Sequence, residues 1–356
     1  MTQRDLQLDL YRAIIMIYIL CVIHVAYWLG AGAHPFNSLI LFEMPVIFFI
    51  SGASLQLSGN KHNLRSISLS RFKRVLLPFY AYAFCLLIIT CLASGASEFI
   101  ESSNFPVLMF DFKNILIPAD GLMNFPFNWH LWFIVPFLVI SISYPLQLKA
   151  IDKIGKYPYL LILLGIFATA CLVRFNFLMT VLGYNFFFVA GFLFYKKLSL
   201  SKIIVLFFIT LACFGIMIWS GISPFPMQSH KFPPDIMFVV FGFLMICLLG
   251  IIFTFVKFPA NRLLERWNKH GYTIYIWQPF VFGAVYVVLE FSMVGNAIKS
   301  MEQPYRFAIL AIMIFLLATA TSFIFVPIER AVTGVFINCY NSLKRIYLRL
   351  SGRLAE

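Results

Sequence analysis

The chain has 356 residues, 62% of them apolar or aromatic and only 12% charged, with a mean hydropathy of +0.90. A soluble domain carries roughly a quarter charged residues, mostly on its exterior, so ordinary soluble enzymes, disordered chains and disulfide mini-proteins are excluded and a polytopic helical membrane protein remains. The formal net charge of +13 calls for no nucleic-acid partner, since Lys and Arg flanking membrane spans and facing anionic lipid account for most of it.

Uncharged runs at 13–42, 75–97, 121–148, 175–195, 203–230, 236–256 and 307–328 are solid rather than alternating. They suit helices of about 20 residues and not barrel strands. Ten spans are predicted, at about 10–29, 36–57, 75–94, 130–148, 158–174, 177–195, 203–221, 236–256, 272–293 and 307–328. The expected fold is all-α, a single transmembrane domain over 1–356 with no separate soluble domain. The first run is long and lacks an A-x-A end, so it reads as a span and not as a cleavable signal peptide. With the N-terminus inside, 22 of the 27 Lys and Arg residues fall on the inner side and 5 on the outer, which favours an N-in, C-in topology. The hydrophilic stretch 95–129 is then outside. No internal repeat is visible, which disfavours a carrier built from inverted halves. Seven cysteines without a CxxC read as small core residues, and the scattered histidines offer no metal site.

In the first span, His24 lies twelve residues beyond Arg12, about 18 Å along a helix. A neutral imidazole at that depth can act as a general base on a hydroxyl, or simply hydrogen-bond a neighbouring helix. Glu43, entering from the outside on the second span, lies near the same level and is expected to orient His24; a neutral acid near the interface is the alternative. Ser51-Gly52 reads as close helix packing. Arg71 and Arg74 share a helical face at the inner mouth of the third span. Guanidinium pairs suit phosphate, and positive-inside flanking is the plainer account. On the outer side His130, between Trp129 and Trp132, is a candidate for a sugar hydroxyl or for the catalytic group. Tyr272 and Tyr275 read as packing, Gln278 is a polar group inside the membrane, and Glu329-Arg330 reads as a local ion pair.

Taken in order, these landmarks resemble the acyltransferase-3 family of bacterial integral membrane acyltransferases. They are Asp9, Arg12 and His24; Met44-Pro45 with Phe48 to Gly52; Arg71, Arg74 and Pro78; His130-Leu131-Trp132-Phe133; Tyr272-Thr273-Ile274-Tyr275; and Glu329. The resemblance implies a multi-pass protein of the bacterial inner (cytoplasmic) membrane. It implies transfer of an acyl group, most often acetyl, from cytoplasmic acyl-CoA to a hydroxyl of a surface polysaccharide, an O-antigen or a lipid-linked sugar. Acyl-CoA is then a donor substrate and no bound cofactor is expected. Some members carry a fused C-terminal periplasmic domain, which is not expected here. The resemblance makes His24 the catalytic histidine, places Arg12 in its motif and gives Arg71 and Arg74 the donor. Glu43 is the expected aid to His24, with His130 and Trp132 seating the acceptor. The expected partners are acyl-CoA, a glycan or lipid-linked saccharide, and membrane lipid.

Two departures stand out. The family's arginine and histidine are separated by ten residues, whereas eleven intervene here. Twelve steps leave Arg12 and His24 about 120° apart on a helical wheel, where eleven would leave about 20°. Either a π-bulge absorbs the extra residue or the two side chains do not share a face. Gln278 also stands where many relatives have histidine. Two rival classes remain: a carrier or flippase using His24 and Glu43 as a proton relay, and an assembly subunit of a polysaccharide export complex. The Arg71/Arg74 pair favours the enzyme.

Overall fold

The computed structural model describes residues 5–30, 35–58, 63–94, 129–256, 259 and 261–350. The 95–129 stretch, except Trp129, lies outside them. Most of the described residues are helical, and none of them forms a strand.

Helix α1 (Leu6–Trp28) runs through the centre of the bundle. The Asp5 carboxylate caps its first turn, accepting from the Gln7 and Leu8 amides. Its turn Ile19–Ile23 is a π-helix, and the His24 amide donates back to the Ile19 carbonyl five residues earlier. That wide turn absorbs one residue. By helix arithmetic this brings Arg12 and His24 back to about the 20° separation of the family's shorter spacing.

Helix α2 (Glu43–Leu57) crosses α7 (Asn176–Phe194) at very close range. At the crossing, Gly52 lies against the Phe188 carbonyl and Gly191 against the Phe49 carbonyl, so Ser51-Gly52 does mark close packing. Helix α3 (Leu64–Arg71), capped by Asn63, passes through a second π turn, Phe72–Leu76, into α4 (Leu77–Ser94). A 3-10 turn, Trp129–Phe133, leads into α5 (Ile134–Ile154), followed by α6 (Lys156–Leu172). Gln147 on α5 accepts from Tyr159 at 2.8 Å and Asn185 at 3.0 Å, which joins α5, α6 and α7 within the apolar interior.

Helix α8 (Leu200–Trp219) has no buried residue and rests on α9 (Ile236–Phe255). So apolar and uncovered a helix fits a lipid surround. Helix α10 (Arg262–Ile276) meets α11 (Gln278–Phe291) at a 74° bend, where the sequence predicts one straight span over 272–293. Pro279 causes the break: it has no N–H and cannot continue the ladder. Helix α12 (Gln303–Leu350) has 48 residues, roughly 72 Å. It runs well past the predicted end at 328. Among the described residues, seven helices are long and apolar enough to cross a membrane, or eight if the bent pair is one span.

Two large apolar cores result among the described residues, with two smaller clusters beside them. One gathers α1, α4, α10, α11 and α12; the other gathers α2, α5, α6, α7 and α9.

Candidate active site

A cavity of about 830 Å³ opens between the two cores. Its polar end carries Arg12, Arg71, Arg74 and Lys269 with Ser54, Ser58, Ser66 and Ser70, and among the described residues no carboxylate lines it. Arg12 is held by Asp9 at 3.3 Å, Asn268 at 3.1 Å and the Ser54 hydroxyl. Arg71 lies over the Phe137 ring, 5.1 Å from its centroid, and its buried Nε meets no acceptor. Burial, reinforced by Arg74 and Arg12, pushes the Arg71 guanidinium down to about 10, so it stays charged at neutral pH. Such a cluster of like charges is stabilised by a polyanion. The structure thus brings Arg12, Arg71 and Arg74 together. It adds Lys269, which the sequence reads as topology signal, and Asn268, which no motif marks.

Beyond the cations the walls turn apolar, through Ile15, Met16, Ile19 and Ile47, to Phe133 and Tyr275. His24 sits behind Tyr275, with ring centroids 5.9 Å apart, and is 6% exposed. Its Nδ1 meets Gln278 Oε1 at 2.6 Å. Gln278 is fully buried at the first position of α11, so the Pro279 break aims its amide across the bundle at α1. An amide oxygen can only accept. With that amide oxygen facing it, a neutral His24 carries its proton on Nδ1 and its lone pair on Nε2.

Glu43 does not take that place. It is buried on α2 and ion-pairs with Lys231, from the segment between α8 and α9. The described ion pair of Glu43 is with Lys231, and Gln278 stands where Glu43 is expected to orient His24. Depth along a helix follows from residue count, but the direction a side chain faces depends on its neighbours.

His130 is wholly buried. Its Nε2 meets the Ile276 carbonyl at 3.1 Å, and its own carbonyl accepts from Tyr275 at 2.6 Å. Ile276 has this carbonyl to spare because Phe280 donates to Trp277 instead. His130 thus braces the helix break, whereas the sequence reading has it seating a sugar. Trp132 turns elsewhere, to Phe232 and Tyr184. Tyr272 donates to the Val75 carbonyl in the second π turn, and Glu329 turns to Thr273 on α10, not into the expected pair with Arg330 alone. The 272–275 motif therefore fixes α10 to three other elements.

A family model described as an acyltransferase domain matches residues 5–327. Neither a curated protein nor a solved structure matches the chain.

Proposed function

Because the chain belongs to the acyltransferase-3 family and is a multi-pass membrane acyltransferase, we propose that it moves an acyl group, acetyl in the first instance, from cytoplasmic acyl-CoA to a hydroxyl of a polysaccharide, O-antigen or lipid-linked sugar. The bacterial inner membrane is the proposed location. The observation that carries this reading is the cavity: four cations and, among the described residues, no lining carboxylate at one end, and apolar walls reaching Tyr275, the ring that packs on His24, at the other. Its size falls within the usual range of ligand pockets. The phosphates of CoA are held by Arg71, Arg74, Lys269 and Arg12, and the pantetheine arm lies along Ile15, Met16 and Ile19.

With Nδ1–H held by Gln278, Nε2 of His24 removes the proton of the acceptor hydroxyl as its oxygen attacks the thioester carbon. Collapse of the tetrahedral intermediate breaks the C–S bond. The CoA sulfur leaves and takes the proton back from His24, giving ester and free thiol. The donor half is tested by equilibrium dialysis with labelled acetyl-CoA. Arg71→Ala and Arg74→Ala each weaken binding by about tenfold to a hundredfold, as loss of a charged hydrogen bond of roughly 1.5–3 kcal/mol requires. Unchanged affinity in both variants rejects the donor site.

A further inference from the structure

The cavity ends short of His24, and two aromatic rings end it. At its cationic end Arg12 on α1 donates to Ser54 on α2 and to Asn268 on α10. From there the lining runs along α1 to Ile19, along α2 to Met44 and along α10 to Tyr275, and among the described residues it reaches no further on any of the three. By residue count that is about 10–15 Å of helix. On the remaining side Phe137 underlies Arg71 near the cations, and Phe133, one turn away, lies at the apolar end. The two closing rings are held from both sides. Phe133 meets Tyr275 edge to face, with centroids 5.2 Å apart. The Tyr275 hydroxyl is tethered to the His130 carbonyl at 2.6 Å, and Phe133 packs against both large apolar cores. Ile19 and Met44 are buried beside them.

We infer that the Phe133–Tyr275 ring pair sets the length of the acyl group, admitting two or three carbons and excluding longer chains. This rests on the donor reading of the cavity. His24 packs on the far face of Tyr275, so a thioester carbon attacked with its help sits at this end, and the acyl tail that begins there faces the two rings. A methyl group asks for little room. Each further methylene must push a ring that is tethered or wedged in a packed interior, which costs affinity as overpacking does. Phe133 is the ring to vary, because Tyr275 also packs on His24 and its loss would disturb the base.

The test uses the full chain in lipid and needs no acceptor. Unlabelled acetyl-, butyryl- and hexanoyl-CoA compete with labelled acetyl-CoA in equilibrium dialysis, at measured free concentrations so that partition of the longer chains into lipid does not count. In the wild-type chain butyryl-CoA binds at least about tenfold more weakly than acetyl-CoA, the cost of a methylene that does not fit, and hexanoyl-CoA binds more weakly again. Phe133→Ala removes the ring and brings butyryl-CoA to at least the affinity of acetyl-CoA. Phe133→Leu, which keeps the space between the cores largely filled, moves it part of the way. Retained acetyl-CoA affinity certifies each variant as folded, and where the alanine variant loses it the leucine variant decides. Equal competition by all three thioesters in the wild type, or an unchanged order in the folded Phe133 variants, overturns the inference while leaving the donor site standing. Failure of the wild-type chain to bind acetyl-CoA overturns both.

Discussion

His24→Ala lowers acyl transfer by about 10²–10⁴-fold, the usual worth of a general base, with acetyl-CoA affinity unchanged because the imidazole lies behind Tyr275 and not among the cavity's lining residues. Gln278 separates orientation from bulk. Gln278→Leu removes the acceptor at Nδ1 and lowers kcat about tenfold to a hundredfold, the rate equivalent of roughly 1.4–2.7 kcal/mol. Gln278→Glu keeps an acceptor there and restores most of the loss. Single-turnover acetyl transfer with each variant measures this series. Full activity in His24→Ala removes the residue from the chemistry, and equal losses in Leu and Glu show that Gln278 acts by packing alone.

The second large effect is on folding. A methyl group at Gly52 would land on the Phe188 carbonyl, and one at Gly191 on the Phe49 carbonyl. Both obstacles are helix backbone, which has no rotamer to escape into. Gly52→Ala and Gly191→Ala therefore force α2 and α7 apart and expose their shared packing. A cost above about 3 kcal/mol is expected, at the top of the overpacking range, and the valine variants yield no folded protein. Gly215→Ala on α8 is the control: nothing lies within 4 Å of its Cβ position, so stability holds or rises by up to about 1 kcal/mol from helix propensity. Thermal unfolding followed by size-exclusion chromatography in detergent compares the three. Normal folding of Gly191→Ala would contradict the observed crossing.

These cases show how far the residues alone reach. Apolar runs locate helices because a backbone in lipid must bond within itself. The helix arithmetic between Arg12 and His24 went further, because one extra residue has few places to go, and the π turn at Ile19–Ile23 is where it went. The 74° bend at Trp277 left only Pro279 as a trace. Since Gln278 reaches His24 through that bend, the pairing was hidden even though Gln278 stood out as a polar residue in an apolar run. Glu43 and His24 were matched in depth, but their azimuths follow from which helices flank them, and Lys231 approaches from a connection with no periodicity to read. Lys269 reads as topology signal alone for the opposite reason: a basic residue at a membrane edge has an ordinary topological explanation.

The central claim is that donor and acceptor reach His24 from opposite ends of the bundle, the donor past Arg71 and the acceptor from the other end. It is tested in sealed vesicles holding the protein in one orientation, with labelled acetyl-CoA on one face and methyl α-D-glucopyranoside on the other, neither able to cross lipid. The account predicts acetylated glycoside only when acetyl-CoA is on the Arg71 face and the sugar on the opposite face. Product formed with both substrates confined to one face, or with their positions exchanged, would contradict it.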